Sequence, residues 1–225
     1  LDRLRLLLVP RLAVLLCRVG LGVAAFALLG RGFEARELFS ERSDTWVELH
    51  DDLYFLPERR EILWASQRSG HNHLYLYDYG GMLKGAITAG DWDVIGEWNA
   101  PAVRGIDERH DRVYFMSTLK TPLERQLYVT DLDVATARAP VALTSQDGWH
   151  NVTMARDARR FLMGYSDPAR PPQVSLHDAT GKRLAWLVEN PLDGDHPYAP
   201  YLDRHVLPEF GTLPAADGTP LHWQM

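Results

Sequence analysis

Residues 61 to 78 read EILWASQRSGHNHLYLYD, two apolar runs separated by one polar turn. The first run is six residues long and closes on Ser66, while the second alternates leucine with tyrosine before Asp78. Short runs of aliphatic and aromatic residues bounded by turn residues are typical of strands rather than helices. The stretch therefore predicts two neighbouring β-strands joined by the turn that contains Ser69 and Gly70.

The same pair of runs recurs twice further along the chain. RVYFMS (112–117) is followed by QLYVTD (126–131), and RFLMGYS (160–166) is followed by QVSLHD (173–178). Each first run follows a charged turn and ends on serine, and each second run ends on aspartate. A further strand is predicted after each pair, in LKGAIT, APVALT and KRLAWLVE. A period of about fifty residues with four strands indicates the blades of a β-propeller.

The sequence thus predicts an all-β chain that forms a partial β-propeller, with blades over residues 36–190. About three four-stranded antiparallel blades are expected, which is too few to close a ring, because propellers hold about four to eight. The missing blades are expected upstream or in another chain. A tryptophan precedes each unit (Trp46, Trp92 and Trp149), and this recurrence at the blade period indicates packing between blades.

The two ends of the chain depart from the repeat. Residues 1–35 contain the apolar run LLLVPRLAVLLCRVGLGVAAFALLG, which allows a signal or anchor, a helix buried against the domain, or a stretch foreign to the fold. A further alternative places the last two strands of a preceding blade at residues 3–9 and 35–41, with residues 10–34 as an insertion. Residues 191–225 are rich in proline and predict a linker followed by a hairpin around Asp217-Gly218. We interpret the chain as a fragment of a longer protein.

Composition excludes some classes of function. The net charge of -6 and the pI near 5.8 offer no basic surface for a nucleic acid. The single cysteine, Cys17, excludes an internal disulfide framework and a cysteine-based zinc site. No cofactor is predicted.

Beyond the repeat, the sequence resembles dipeptidyl peptidase IV enzymes of the prolyl oligopeptidase family of serine peptidases, in the C-terminal part of their β-propeller. The resemblance is carried by SDTWVELHDDLYFL, ILWASQRSGHNHLYLYDYGG, GDWDVIG, DRVYFMS with QLYVTDLD, and the tail from His196 to Met225. It implies an eight-bladed propeller that caps an α/β-hydrolase domain and an activity that removes N-terminal Xaa-Pro or Xaa-Ala dipeptides. It further implies peptide substrates, a periplasmic or secreted location and a parent protein able to form a homodimer.

No catalytic residue is predicted in this chain. The nearest approach to the G-x-S-x-G elbow of the hydrolases is Gly164 to Pro168, where proline replaces the second glycine and Ser166 closes a strand. The resemblance implies that the turn before HLYLYD faces the substrate cavity, with an aromatic and an arginine at two positions. Here His71 and Asn72 take those positions, and they are the predicted substrate-binding residues. A solvated turn is the alternative interpretation.

Other residue pairs offer weaker hypotheses. His71 and His73 lie two residues apart, but no carboxylate at a fixed offset supports a metal site. Asp51-Asp52 and Asp91-Trp92-Asp93 place carboxylates together only in sequence, so an acid/base dyad is not expected. The competing function for the whole chain is a noncatalytic propeller that binds other proteins.

Overall fold

The computed structural model describes residues 5–9, 12–19, 22–29, 34–44, 47–48, 50–97 and 100–225, with the backbone alone before residue 36. Within these residues the chain forms eighteen strands and one short 3₁₀ helix. Sixteen strands form four sheets of four strands each, and the last two form a hairpin. The prediction of an all-β chain built from four-stranded blades is confirmed.

The first sheet comprises β1 (Arg5–Val9), β2 (Leu12–Val19), β3 (Gly22–Leu29) and β4 (Glu34–Arg42). Each strand pairs antiparallel with the next. The predicted insertion over residues 10–34 and the alternative of a buried helix are therefore wrong, because β2 and β3 lie in that range. A continuous apolar run has no period that distinguishes a strand from a helix, which explains the error.

The second sheet comprises β5 (Leu53–Leu56), β6 (Glu61–Ser66), β7 (His73–Asp78) and β8 (Leu83–Ala86). The central strands β6 and β7 have the predicted bounds, and Trp64 lies opposite Tyr75 in their ladder. Every residue of β6 is buried, as are the first five residues of β7. Because alternate side chains point to opposite faces, burial of consecutive residues shows that both faces of these strands are covered.

The third sheet comprises β9 (Val103–Asp107), β10 (Arg112–Ser117), β11 (Gln126–Asp131) and β12 (Val141–Ala142). The fourth comprises β13 (Trp149–Met154), β14 (Arg160–Asp167), β15 (Arg170–Asp178) and β16 (Arg183–Val188). The bounds of β10 and β11 agree with the prediction. The predicted strand APVALT is reduced to two residues in β12, the outer strand of its sheet.

The tail holds the predicted hairpin, formed by β17 (Phe210–Pro214) and β18 (Pro220–Gln224) around a turn with Gly218 at φ 87°. The linker before it is not wholly extended, since a 3₁₀ helix runs over Ala199–Arg204. Pro200 lies in the first turn of this helix, where its missing N–H costs no hydrogen bond.

Aromatic and aliphatic side chains pack between the first two sheets. Leu38 of β4 joins a cluster with five buried residues of the second sheet: Leu53, Ile62, Trp64, Tyr75 and Tyr77. The adjacent Phe39 ring stacks on Tyr77 with centroids 4.2 Å apart. Sheets that pack face to face through such a layer are characteristic of neighbouring propeller blades.

Three glycines lie at close approaches between segments of the fold. Gly81, in the turn after β7, lies directly against the carbonyl group of Leu38 in β4, and Gly181, in the turn after β15, lies against the carbonyl group of Leu143 after β12. Gly85 of β8 lies against the Val134 side chain, in the segment between β11 and β12. At all three places a Cβ atom would clash, so only glycine fits.

The junction tryptophans differ from one another. Trp92 is 9% exposed and meets the His73 ring edge-on at 4.8 Å, in agreement with the packing prediction. Trp149 is 48% exposed as the first residue of β13, so packing between blades is wrong for this residue. The Arg125 guanidinium lies 4.5 Å from its ring and covers one side. Trp46 lies outside the described residues.

By internal contacts the chain divides into two compact units, residues 1–117 with 129–141 and residues 118–128 with 142–225. In the described part of the chain, no helix is both long enough and apolar enough to cross a membrane.

Candidate functional site

His71 and Asn72 lie in the turn between β6 and β7, and both contact Asp93. The backbone N–H of Asn72 donates to Asp93 Oδ1 at 2.7 Å, and His71 Nδ1 lies 3.3 Å from Asp93 Oδ2. The side chains of His71 and Asp93 are 37% and 42% exposed, so the pair lies at the surface. Asp93 therefore fixes the shape of the turn while leaving the imidazole accessible.

The Asn72 side chain turns into the protein. Its Nδ2 donates to the carbonyl oxygen of Val94 at 2.6 Å, whereas its Oδ1 is buried without a hydrogen-bond partner. An amide held in this way connects the turn to the segment after β8. Substrate binding by His71 and Asn72 stays a prediction.

A cavity of about 330 Å³ opens beside the same turn. One wall comes from the end of β4 and the segment after it, and the other comes from the end of β6 and the start of the turn. Its lining residues are Glu41, Arg42, Ser43, Val47, Glu48, His50, Ser66, Gln67, Arg68 and Gly70. The predicted turn thus lines the cavity, but with the residues that precede His71 and Asn72.

Glu41 organises the floor of this cavity. One of its carboxylate oxygens accepts a hydrogen bond from Trp64 Nε1 at 3.1 Å, and the other accepts one from the Ser66 hydroxyl. Arg68 Nε in turn donates to Ser66 Oγ at 2.8 Å and lies 3.9 Å from the Glu41 carboxylate. These bonds hold the Ser66 hydroxyl between the Glu41 carboxylate and the Arg68 guanidinium, and they connect the two walls of the cavity.

Arg68 is the residue that sequence analysis missed. Its guanidinium carbon lies 4.4 Å from the ring centroid of Tyr75 and 5.6 Å from that of Tyr77. The side chain remains 30% exposed, so a cation stacked on aromatic rings is presented to the cavity. The two tyrosines lie two residues apart on one strand, so their rings share a face of the sheet. This spacing is the sequence pattern that indicates a pair of rings on which Arg68 stacks.

His50 lies on the other wall as a neutral ring. Burial lowers the pKa of His50, against the opposing effect of the carboxylates of Asp52, Glu41 and Glu48. Its Nδ1 accepts a hydrogen bond from the backbone N–H of Asp52 at 3.2 Å, and the ring packs on Trp64 at 4.6 Å. The cavity therefore combines both signs of charge with a neutral imidazole, a set able to hydrogen-bond a peptide backbone and its charged end.

His73 is a structural residue. It is 1% exposed, and its Nε2 donates to the carbonyl oxygen of Gly90 at 2.9 Å. The Thr88 hydroxyl donates to Nδ1 at 3.1 Å and accepts from the backbone N–H of Leu74 at 2.9 Å. Both ring nitrogens are thus occupied, and no group of three metal ligands is found among the residues that the structure describes.

Gln126 makes the same contacts at the equivalent place in the third sheet. Its Nε2 donates to the carbonyl oxygen of Gln146 at 2.8 Å, and its Oε1 accepts from the Thr144 hydroxyl at 2.6 Å. Thr144 in turn accepts from the backbone N–H of Leu127 at 2.9 Å. We call this arrangement the polar latch: one donor and one acceptor on the third strand of a sheet connect it to the segment that follows.

Neither Ser66 nor Ser166 is placed as a catalytic nucleophile. Ser66 is held by Glu41 and Arg68, and Ser166 lies within β14 opposite Trp149 rather than at a strand-to-helix turn. Asp52, one half of the carboxylate pair dismissed as a dyad, is 3% exposed and binds backbone N–H groups of Ala102 and Val103 at 2.9 Å each. Its role is structural.

Successive four-stranded antiparallel sheets, of which the first two pack face to face, define the chain as part of a β-propeller protein. Residues 11–172 match the family model described as the dipeptidyl peptidase IV (DPP IV) N-terminal region. The chain belongs to this family. The match covers most of the chain and begins within the apolar segment that forms the first sheet.

Relatives and solved structures agree with this assignment. Mouse dipeptidyl peptidase 8 is 28% identical, with 62% of this chain and 18% of that protein covered. Dipeptidyl-aminopeptidase B of Aspergillus niger is 30% identical, with 54% of this chain and 12% of that protein covered. The crystal structure of Porphyromonas gingivalis dipeptidyl peptidase 4 superposes with a TM-score of 0.76 at 20% identity, over 94% of this chain and 29% of that one. The chain spans less than a fifth of the length of these curated relatives.

Proposed function

We propose that the chain is the propeller portion of a serine exopeptidase that removes N-terminal Xaa-Pro or Xaa-Ala dipeptides. The family match over residues 11–172 carries this proposal, supported by relatives that are named as dipeptidyl peptidases. The nucleophile and its base would lie in an α/β-hydrolase domain outside this chain, in a periplasmic or secreted protein. The blades would admit a peptide terminus and exclude folded chains.

The alternative of a noncatalytic interaction module is less well supported. The tail leaves the fourth sheet through a linker and enters a hairpin whose Phe210, Leu213 and Leu221 are about half exposed. Large apolar side chains of this kind are typical of a surface that another part of a protein covers. A following domain would supply that cover.

Activity of the intact protein tests the proposal. We expect release of a chromogenic amine from a Gly-Pro conjugate by the protein that contains both the propeller and its downstream domain, and none by the 225-residue chain. The reason is that no catalytic serine is assigned here, so hydrolysis needs the other domain. An active 225-residue chain, or an inert intact protein with a correctly folded hydrolase domain, would contradict the proposal.

The cavity beside the turn would contact peptide residues beyond the cleaved dipeptide. Replacing Arg68 by alanine in the intact protein should raise KM for peptides of four or more residues about tenfold, because a charge-assisted hydrogen bond contributes about 1.5 kcal/mol or more. The KM for the dipeptide conjugate and the value of kcat should not change. Steady-state kinetics on both substrates measure this difference.

Two further variants distinguish a peptide contact made by Arg68 in the cavity from one made by His71 and Asn72. Arg109→Ala, an exposed arginine before β10, is the matched control and should leave both substrates unaffected. The double variant His71→Ala/Asn72→Ala tests the residues predicted from sequence. A raised KM in the double variant with none in Arg68→Ala would place the contact at His71 and Asn72 instead of the cavity.

A further inference from the structure

The Arg68 side chain is fixed by the protein and exposed at the cavity. Its Nε donates to Ser66 Oγ at 2.8 Å, and its guanidinium carbon lies 4.4 Å from the ring centroid of Tyr75. The backbone N–H of Arg68 donates to the same serine oxygen at 3.2 Å. A guanidinium has five N–H donors in one plane, so the side-chain bond to Ser66 uses one of them. The side chain is 30% exposed where it lines the cavity, and it therefore presents a pre-oriented cation there.

The Glu41 carboxylate is turned towards other donors. Its two oxygens accept hydrogen bonds from Trp64 Nε1 and from the Ser66 hydroxyl, and its side chain is 12% exposed. Arg68 Nε lies 3.9 Å from Glu41 Oε1, which is too far for a hydrogen bond. A second acidic group can therefore bind to the guanidinium, whereas a cationic ligand would meet a carboxylate that is already hydrogen-bonded.

The other charged residues of the cavity contribute less. Arg42 and Glu48 are opposite in sign and exposed, and exposed charges add little to binding because water solvates them. His50 adds no charge, because burial lowers its pKa. The partly buried guanidinium of Arg68 therefore determines the charge of the ligand that the cavity favours, and that charge is negative.

The size of the cavity limits the ligand to a small group. Its volume of about 330 Å³ is at the lower end of the range of about 300 to 1,000 Å³ for small-molecule sites. Of the lining residues that the structure describes, all but Val47 and Gly70 have polar side chains. A cavity of this kind suits the polar end of a peptide rather than a long or apolar segment.

We propose that this cavity binds a carboxylate group of the peptide substrate, beyond the dipeptide that is removed. The planar guanidinium of Arg68 donates two parallel hydrogen bonds to the carboxylate, a pairing that is stronger than one between neutral groups. The carboxylate comes from the free C-terminus of a short peptide or from an aspartate or glutamate side chain. The assignment to a substrate rests on the proposed exopeptidase function, whereas binding of the carboxylate requires only this chain.

Calorimetric titration of the 225-residue chain with three blocked dipeptides tests the proposal. The probes are acetyl-Ala-Ala, which has a free C-terminal carboxylate, acetyl-Ala-Ala-amide, which has none, and acetyl-Glu-Ala-amide, which has a side-chain carboxylate. We expect a carboxylate probe to bind about tenfold more tightly than the uncharged amide, because its hydrogen bonds are charge-assisted. Tighter binding of the first probe alone identifies the chain end as the source, and tighter binding of the third alone identifies an acidic side chain. Equal affinities for all three, or no detectable binding of either carboxylate probe, would overturn the proposal.

Substitution of Arg68 tests which group binds the carboxylate. Arg68→Ala should abolish the preference for a carboxylate, and Arg68→Lys, which keeps the charge but loses the planar fork, should retain only part of it. Arg109→Ala again serves as the matched control and should keep the full preference. A preference that survives Arg68→Ala would overturn the proposal. Far-UV circular dichroism shows that each variant keeps its strands, and the comparison of probes on the parent chain needs no variant.

Kinetics of the intact protein separate this proposal from the proposed exopeptidase function. Gly-Pro-Ala-Ala or Gly-Pro-Glu-Ala-amide, according to the source identified by titration, should have a KM about tenfold lower than Gly-Pro-Ala-Ala-amide. Hydrolysis of the Gly-Pro conjugate, which carries no carboxylate, should be unaffected by Arg68→Lys. Hydrolysis of all peptides with the same KM would contradict the carboxylate contact alone. Carboxylate binding by the 225-residue chain without hydrolysis by the intact protein would contradict the exopeptidase function alone.

Discussion

Replacing Asp52 by alanine should lower the free energy of unfolding by about 3 kcal/mol or more. The carboxylate accepts hydrogen bonds from the N–H groups of Ala102 and Val103, and from the Tyr54 hydroxyl at 3.1 Å. Alanine would leave two buried backbone donors unpaired, and each costs about 1 to 3 kcal/mol. Urea unfolding followed by tryptophan fluorescence measures the loss as a lower transition midpoint.

Neighbouring substitutions provide the controls for this result. Asp51→Ala changes the adjacent, exposed aspartate and should alter stability by less than about 0.5 kcal/mol. Asp52→Asn keeps one acceptor oxygen, so its free energy of unfolding should lie between those of Asp52→Ala and Asp51→Ala. Burial raises the pKa of Tyr54, and the Asp52 carboxylate raises it further, so the phenol stays a hydrogen-bond donor at neutral pH. An Asp52→Ala protein as stable as the parent would mean that other groups satisfy these donors.

Replacing His73 by alanine should destabilise the chain by about 2 to 4 kcal/mol, whereas His73→Gln should cost less than about 1 kcal/mol. Alanine removes both ends of the polar latch and leaves the Gly90 carbonyl oxygen and the Thr88 hydroxyl without their partner. Glutamine supplies one donor and one acceptor, as Gln126 does in the third sheet. Thermal unfolding of the two variants measures the difference.

The reciprocal exchange is the matched control for the latch. Gln126→His should be tolerated as well as His73→Gln, because the neutral imidazole with a proton on Nε2 presents the same donor and acceptor. If His73→Gln were as destabilising as His73→Ala, the packing of the ring on Trp92 at 4.8 Å would be its main contribution instead.

The repeat could be predicted because its landmarks depend on local chemistry. The strand bounds of β6, β7, β10 and β11 agree with the prediction, since polar turns delimit short apolar runs there. The first sheet could not be predicted in the same way. β1, β2 and β3 are mostly apolar without alternation, and arginines and a proline interrupt the run, so periodicity indicated no single structure.

The turn predicted to bind substrate lies beside a cavity, and substrate binding there stays a prediction. The turn after β6 does line a cavity, yet the lining side chain of greatest chemical interest is Arg68, and Asn72 is turned towards Val94. The second wall is formed by the end of β4 and the segment after it, about twenty residues earlier in sequence. Contacts between segments brought together by sheet packing leave no periodic pattern, so residue spacing alone does not reveal them.

The glycine contacts between successive sheets set a minimum distance that core side chains do not control. At Gly81 the backbone of the second sheet lies against that of the first, and at Gly85 it lies against the Val134 side chain, so these sheets cannot move closer at these places. When a core side chain between them is shortened, the layers are held apart and the lost volume remains as a void. A large-to-small substitution in the core would therefore create a cavity that admits small apolar molecules. The spacing between the blades would not change.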